Sequence, residues 1–138
     1  MDEPWKLSIR QFDDLTGSIS VLEVGKDIPF EVKRVYFLHN LKSDAERGGH
    51  AHKQLWQVII PVSGSFRLSL ISSNSEFVYD LESPETGVVV PPMWWRDLSG
   101  FSEGAVCLVL ASSFFSESDY IRDFSSFLSQ AGDLDALQ

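Results

Sequence analysis

The sequence of 138 residues contains a single cysteine, Cys107, and one thiol excludes both an internal disulfide and a thiolate metal cluster. Cys107 lies in the apolar run 105–111, where a cysteine is typically a small buried side chain rather than a reactive thiol. No apolar run approaches the roughly 18 residues that a membrane span requires. Residues 1–10 also lack the basic start and apolar stretch of a secretory signal. These absences predict a cytoplasmic protein.

Basic residues are scarce as well, since 11 Lys and Arg stand against 20 Asp and Glu, for a net charge of −9. Binding to nucleic acid needs clustered basic residues that contact phosphates, so this balance argues against a nucleic-acid partner. The acidic residues are spread along the chain, as on a solvated surface that aids solubility. An anionic ligand would therefore need a local pocket lined by particular arginines.

The chain has no linker, repeat or low-complexity segment, and its length is typical of one domain with a sizeable core. We expect one domain over 1–138, with a core at about 8–128 and a frayed tail at 130–138. Apolar stretches separated by turn signals predict strands at 18–23, 34–39, 54–62, 66–70, 76–81, 87–90, 94–98 and 106–110. Many short strands at this spacing are typical of a β-sandwich or barrel.

One helix is predicted near the C-terminal end of the chain. Ser116 and Asp119, three residues apart, resemble a capping box. Apolar residues then recur at helical spacing from Tyr120 to Leu128, which predicts an amphipathic helix that packs on the core or on a second copy. The pair Ala131-Gly132 is expected to end this helix.

Two of the three histidines lie close together in the segment 47–53. Residues two apart on an extended strand point to the same face of the sheet, so His50 and His52 are expected to project side by side. This pair follows a Gly-Gly turn and Arg47, a setting that favours a functional role. The third histidine, His39, stands alone and is expected to be structural.

The His-x-His pair is compatible with a metal site, because imidazoles are common ligands of zinc and iron. Its spacing resembles the first motif of metal-binding cupins, in which a glutamate and a glycine complete the pattern. Here Gln57 stands at the glutamate position, and Trp95 or Arg96 stands where the second motif supplies a third histidine. Glutamine is a poor ligand, tryptophan is none, and an arginine repels a cation, so we expect no metal.

The alternative is general acid–base catalysis, because histidine exchanges protons around neutral pH. Two histidines on one face can divide the work, one as the base and one as a relay. Tyr36 is a candidate third member, since a phenol can bond or protonate a substrate oxygen. Arg47 offers a planar fork that suits phosphate. Flat surfaces for a sugar or base are offered by aromatic side chains, each equally compatible with core packing: Trp56, Trp94 and Trp95.

The segment Arg47-Gly48-Gly49-His50-Ala51-His52-Lys53 resembles the central motif of the cupin-fold dTDP-sugar 3,4-ketoisomerases, the WxcM-like, FdtA-type family. The resemblance extends over about residues 8–128 and is much more specific than His-x-His alone. Other matching segments follow in the family's order: Ile28-Pro29-Phe30, Lys33-Arg34-Val35-Tyr36, the Pro-x-x-Trp that ends at Trp94, 106–112, and Asp119-Tyr120-Ile121-Arg122-Asp123 before Phe127.

The resemblance implies an all-β, cupin-type double-stranded β-helix, a jelly-roll sandwich, with one short C-terminal α-helix. It implies an isomerase without metal or cofactor that moves the carbonyl of dTDP-4-keto-6-deoxyglucose from C4 to C3. By position, His50 would remove the C3 proton to form an enediol, a proton would return at C4, and His52 and Tyr36 would assist at the oxygens. Family members are homodimers that serve deoxyamino-sugar pathways for bacterial surface polysaccharides and antibiotics.

The resemblance further implies substrate contacts by Arg47, Lys53, Trp94 and Arg96. The chain departs from many members at Thr16-Gly17, where they carry Arg-Gly, which leaves the exact sugar open. It also has Trp94-Trp95-Arg96-Asp97 where many relatives have Trp-His-Glu, although related sequences often carry Trp-Arg there.

Two other functions remain open from the sequence. A related cupin epimerase inverts a stereocentre beside the carbonyl through a similar enediolate. A non-catalytic sensor of nucleotide sugars, or a partner subunit, would bind the same ligand without turnover. A metal-dependent dioxygenase cupin is the least favoured alternative, for the reasons given at Gln57 and Arg96.

Overall fold

The computed structural model describes residues 2–137, and strands dominate this part of the chain. The strands are β1 (Trp5–Ser8), β2 (Arg10–Asp14), β3 (Gly17–Val21), β4 (Arg34–Leu38), β5 (Arg47–His52), β6 (Gln57–Ser63), β7 (Phe66–Ile71), β8 (Glu76–Leu81), β9 (Thr86–Val90), β10 (Trp95–Ser99), β11 (Val106–Ala111) and β12 (Tyr120–Ile121). An α-helix, α1, follows at Phe124–Ala136. The predicted all-β architecture with a C-terminal helix is therefore confirmed.

Ten of the strands form two antiparallel five-stranded sheets. The first sheet has the order β1-β9-β6-β11-β4, and the second has the order β12-β5-β10-β7-β8. Their inner faces share one core, because strand side chains alternate between faces. On β7 the alternation places Phe66, Leu68 and Leu70 inward, where they pack with Ile59 of β6 and Val109 of β11. The two sheets thus form a sandwich around one hydrophobic core.

The first sheet is buried on its outer face as well, which explains the nearly continuous apolar sequences of its central strands. The outer side chains of β6 and β9, Val58, Ile60 and Val89, are covered by Ile9 and Ile28 from the N-terminal segment. Cys107 lies in the inner core, and burial raises the pKa of its thiol to about 12. The prediction of a buried cysteine is confirmed.

The C-terminal region differs from the predicted helix. The residues Glu117–Asp119 form a single 3-10 turn, and Tyr120–Ile121 forms β12, which pairs with His52 and Ala51 of β5. The helix begins only at Phe124, where the Asp123 carboxylate accepts a hydrogen bond from the Ser126 amide at 2.8 Å. The predicted capping role of Ser116 is wrong, because its side chain makes no capping bond.

The predicted end of the helix at Ala131-Gly132 is also wrong, since α1 continues to Ala136. Phe127 and Ala131 are fully buried against Trp95 and Ile121 on the outer face of the second sheet. Glycine inside a helix costs about 1 kcal/mol relative to alanine, and packing of this face outweighs that cost. No helix within residues 2–137 is long and apolar enough to span a membrane.

Most of the predicted strands begin and end within two residues of the observed bounds. The strand predicted at 54–62 instead begins three residues later, at Gln57. The amides of Lys53 and Gln54 instead bond to Asp119, at 2.9 Å each. The strands β1 and β2 were not predicted. β2 and β3 form a separate two-stranded hairpin, in which Phe12 pairs with Ile19.

Candidate active site

The histidine-bearing strand β5 lies between β10 and β12 in the second sheet. Its first residues form an irregular stretch in which Gly48 and Gly49 have φ values of +91° and +67°. A Cβ on Gly48 would lie 2.6 Å from the Arg96 carbonyl oxygen, so a larger residue cannot fit there. The Gly-Gly pair therefore lets β5 approach β10 closely, just before His50.

A cavity of about 400 Å³ opens between β4 and β5 at one edge of the two sheets. Tyr36 and Leu38 of β4 line one side, while His50 and Tyr120 line the other. The rings of His50 and His52 are perpendicular, with centroids 4.8 Å apart. The structure thus brings the two histidines together, as the strand periodicity predicted. Only His50 borders the cavity, because His52 is 4% exposed and lies behind it.

The hydrogen bonding of His50 determines which ring nitrogen carries its proton. Nδ1 lies 3.1 Å from the carbonyl oxygen of Gly48. Since a carbonyl oxygen only accepts, the neutral ring must hold its proton on Nδ1, which leaves the lone pair on Nε2. Nε2 is buried and has no partner in the part of the chain that the structure describes. His50 therefore presents an unused basic nitrogen.

Four arginines line the same cavity: Arg34, Arg47, Arg96 and Arg122. Arg122 is engaged by Glu117 through two hydrogen bonds of 2.7 and 2.9 Å. None of the carboxylates described in residues 2–137 pairs with the other three guanidinium groups. Arg96 is 2% exposed and its Nε has no partner. A buried, unpaired cation is costly, so this cavity of an acidic protein is suited to an anionic ligand.

Burial and positive charge keep the histidines neutral. Burial and, secondly, the nearby Arg96 charge together lower the pKa of His50 to about 4. Burial, followed by the effects of Arg96 and His50, lowers the pKa of His52 to about 2. Both values are below the ordinary value near 6.5. At neutral pH, each imidazole is therefore free to accept a proton.

A chain of hydrogen bonds connects Arg96 to Tyr36. The Arg96 guanidinium donates to the Gln57 side-chain oxygen, and the Gln57 amide donates to the Tyr36 hydroxyl at 2.9 Å. Since the hydroxyl accepts from Gln57, its own proton remains available to a ligand in the cavity. The guanidinium of Arg34 lies 5.2 Å from the Tyr36 ring centroid. The tyrosine is thus held in place with its hydroxyl proton free.

Several residues around the histidines were not predicted as site residues. Tyr120 lies 4.9 Å from the His50 ring and 4.4 Å from the His52 ring, measured between centroids. Arg122 lies 4.2 Å over the Tyr120 ring. Both were assigned to a helix, which hid the position of Tyr120 on β12 and of Arg122 just after that strand. The sequence signal for Tyr120 and Arg122 was the segment 119–123, which matches the family's sequence pattern. Arg34 lies in another segment that matches this pattern.

Not every predicted substrate contact lies in the cavity. Arg47 and Arg96 line it, but Lys53 and Trp94 do not. Trp94 is 2% exposed in the inner core, and its indole Nε1 donates to the Asp2 carbonyl oxygen at 2.9 Å. Lys53 lies on the surface behind His52, where its amide bonds to Asp119. Trp94 is therefore packed in the core and Lys53 lies on the surface, and both are away from the cavity.

Two further aromatic residues and one histidine also lie elsewhere. Trp95 packs against Phe127 of α1, and Trp56 packs against Trp5. His39 is exposed and contacts Phe37, with ring centroids 5.3 Å apart. None of the three lines the cavity.

The donor set does not suit a metal ion. His50 and His52 supply two nitrogens, while the nearby Gln57 oxygen accepts from Arg96 and is thereby occupied. No group of three or more His, Cys, Asp or Glu within residues 2–137 could hold a metal ion. The cationic Arg96 beside the histidines would also repel one. The residues present therefore fit proton transfer better than metal binding.

Comparison with known proteins gives consistent matches over nearly the whole chain. The model of the FdtA family, described as WxcM-like, C-terminal, matches residues 4–132. TDP-4-oxo-6-deoxy-alpha-D-glucose-3,4-oxoisomerase of Aneurinibacillus thermoaerophilus is 39% identical over 121 residues, which are 88% of this chain and 87% of that protein.

Solved structures show the same relationship. The structure of QdtA, a sugar 3,4-ketoisomerase from Thermoanaerobacterium thermosaccharolyticum in complex with TDP, has a TM-score of 0.92 at 35% identity and covers 95% of this chain and 96% of its own. A 3,4-ketoisomerase from Helicobacter canadensis has a TM-score of 0.91 at 40% identity, over 95% and 98% of the two chains. The predicted cupin-type fold is thereby confirmed.

Proposed function

This chain belongs to the FdtA family, described as WxcM-like, C-terminal, and is an isomerase; from that premise we propose that it moves the carbonyl of a dTDP-linked 4-keto-6-deoxyhexose from C4 to C3. The observation that carries the proposal is the unpartnered Nε2 of His50 at a cavity lined by arginines. The two solved 3,4-ketoisomerases share this fold, and QdtA was also solved with TDP-4-keto-6-deoxyglucose in a mutant form.

The reaction begins with His50 as the base. Nε2 takes the proton from C3, which is acidic because the C4 carbonyl withdraws electrons. The C3–H electron pair becomes the C3=C4 double bond, and the C4 oxygen takes the negative charge of the enediolate. Arginine side chains and the Tyr36 hydroxyl stabilise this charge.

The second half reverses the first at the neighbouring carbon. The C4 oxygen gains a proton as the C3 hydroxyl loses one, and the Tyr36 hydroxyl is placed for this exchange by its bond from Gln57. The C3 oxygen then forms the new carbonyl, while the enediol double bond takes a proton at C4 from the His50 imidazolium. No electrons leave the sugar, so the step requires no redox partner.

The unpaired arginines are suited to the diphosphate of the nucleotide. A guanidinium binds phosphate oxygens through parallel hydrogen bonds, and Arg34 and Arg96 have free donors at the cavity. When the diphosphate binds, its negative charge offsets that of Arg96 beside His50. The pKa of His50 then rises, and the base becomes stronger once substrate is present. Arg47, exposed at the cavity rim, is assigned to the same substrate.

The position of the product carbonyl gives the protein a place in deoxyamino-sugar biosynthesis. A ketone at C3 is the group that an aminotransferase converts to an amine, so an enzyme of that class would consume the product. The cytoplasmic location stays a prediction from the sequence.

A homodimer is also part of the proposal. The β2–β3 hairpin pairs only with itself among the described strands, yet Phe12 and Ile19 on it are 59% and 65% exposed and Leu15 at its turn is fully exposed. An isolated two-stranded hairpin is marginally stable in water. A second copy that covers these side chains would explain both their exposure and their apolar character.

Incubation with dTDP-4-keto-6-deoxyglucose, followed by NMR of the product, tests the function. A new C3 carbonyl with loss of the C4 carbonyl supports the ketoisomerase. A retained C4 carbonyl with an inverted neighbouring centre would identify an epimerase instead. Calorimetric binding of dTDP without turnover of any 4-keto sugar would identify a non-catalytic sensor.

A further inference from the structure

The buried histidine His52 has one charged neighbour that the proposed reaction has not used. Oδ2 of Asp119 lies 3.6 Å from Nδ1 of His52. That separation is long for a hydrogen bond, although such contacts in ligand-free enzymes often tighten when substrate binds. Neither ring nitrogen of His52 has another partner within residues 2–137. Asp119 is therefore the group placed to decide which nitrogen of His52 carries the proton.

The position of Asp119 is fixed by its surroundings. Its main-chain carbonyl accepts from the Lys53 amide at 2.9 Å, and its Oδ1 accepts from the Gln54 amide at 2.9 Å. The next residue, Tyr120, is the register partner of His52 in the β12–β5 pair. With Oδ1 committed to Gln54, the other carboxylate oxygen is directed at the histidine ring.

We infer that Asp119 is a positioning residue that holds the neutral His52 ring in the Nδ1–H tautomer and so leaves its Nε2 free to receive a proton. A carboxylate only accepts hydrogen bonds, so Nδ1 must be the donor in this contact. His52 then has the same tautomer as His50, where the Gly48 carbonyl fixes Nδ1–H. The two rings lie 4.8 Å apart between centroids.

The inference rests on the proposed function for its catalytic meaning. After His50 has taken the C3 proton, the neighbouring His52 is a second acceptor that can share the proton before it returns at C4. A free Nε2 is required for that role, and a carboxylate behind the ring stabilises the imidazolium that forms, as in other carboxylate–histidine pairs. Asp119 thus acts through His52 and does not contact the sugar.

The substitution Asp119→Asn separates this role from a structural one. The Asn carbonyl oxygen can still accept from the Gln54 amide, which keeps the local fold. That bond directs the Asn NH2 group at His52 Nδ1, so Nδ1 must accept and the proton moves to Nε2. Asp123→Asn is the matched control, because it removes a nearby carboxylate, while asparagine caps a helix equally well.

The tautomer is measured from the 15N chemical shifts and long-range proton couplings of the His52 ring. The chain has three histidines, so substitution of His39 and His50 assigns the signals. We expect Nδ1–H in the wild-type protein and Nε2–H in Asp119→Asn, with an unchanged melting temperature. We also expect kcat to fall by about 100-fold with little change in KM, and Asp123→Asn to match wild type in both.

Three results would overturn the inference: an unchanged His52 tautomer in Asp119→Asn, an inverted tautomer with normal kcat, or an equal tautomer change in the control. The tautomer measurement needs no substrate. If the wild-type protein fails to convert the sugar, the proposed function is wrong, while the spectra still decide whether Asp119 sets the ring.

Discussion

Arg96 lies directly opposite His50 in the antiparallel pair of β10 and β5, and both side chains point into the same cavity. The guanidinium therefore faces the imidazole that we propose as the base. In the ligand-free protein, burial and this positive charge hold the pKa of His50 at about 4. The same charge is available to a diphosphate, so we propose that ligand binding and base strength are linked at Arg96.

The first prediction concerns pH. The base must be neutral to react, so activity falls as pH drops through its pKa. The profile of kcat/KM follows the free enzyme, and its acidic limb should have a midpoint near 4 rather than 6.5. The limb of kcat follows the complex, in which the diphosphate offsets Arg96, and should lie at higher pH. Coincident limbs near pH 6.5 would contradict this arrangement.

The second prediction concerns the substitution Arg96→Gln. Removal of the positive charge raises the pKa of His50, so the acidic limb of kcat/KM should move to higher pH. Burial is the larger cause of the low pKa, so the shift should stop short of the ordinary value. KM should rise because a donor to the diphosphate is lost. Arg67→Gln is the control, because Arg67 forms an exposed pair with Asp80, and it should leave KM and the acidic limb unchanged. If the acidic limb does not move in Arg96→Gln, the Arg96 charge does not set the pKa of His50.

The third prediction concerns Tyr36→Phe. The variant keeps the ring beside Arg34 and removes only the hydroxyl that accepts from Gln57. We expect kcat to fall by about 100-fold because proton exchange at the sugar oxygens slows. Steady-state kinetics measure this change, and denaturant unfolding should show a loss of about 1 kcal/mol. Tyr79→Phe, on β8 and outside the cavity, is the control. Unchanged kcat in Tyr36→Phe would remove the hydroxyl from the mechanism.

The fourth prediction concerns the dimer. Phe12→Asp places a charge on the exposed hairpin, where we expect contact with a second copy. Sedimentation should show a dimer for the wild-type protein and a monomer for the variant. Val78→Asp introduces the same charge at an exposed apolar site on β8 and should remain dimeric. A monomeric wild-type protein would contradict the dimer. A Phe12→Asp variant that stays dimeric would place the interface on another surface.

The elements that the sequence predicted well are those whose pattern has one explanation. The alternation of β7 matches strand periodicity, and the apolar run of β11 is too short for a typical buried helix. His50 and His52 shared a face because strand periodicity allows nothing else. The residue types of Gln57 and Arg96 were enough to predict that neither is a metal ligand. In the structure the two side chains are hydrogen-bonded to each other.

The segment before α1 was wrongly predicted to be helical because its apolar residues fit both a helix and a strand. Ile121 is buried whether it lies on a helix or on β12, and only its pairing with Ala51 decides between them. That pairing is a contact between distant parts of the chain, which local periodicity does not contain. The positions of Asp119, Tyr120 and Arg122 beside the histidines depend on the same pairing. Trp94 likewise matched a family segment, but its side chain fills the core.

The most direct test of His50 as the base is solvent exchange. The wild-type protein and His50→Asn are each incubated with dTDP-4-keto-6-deoxyglucose in deuterated water, and NMR follows deuterium at C3 of the substrate and C4 of the product. Asparagine keeps a polar side chain of similar size, so circular dichroism should show an intact fold. We predict deuterium incorporation with wild type and none with His50→Asn. Exchange retained at the wild-type rate in a folded His50→Asn protein would contradict the account.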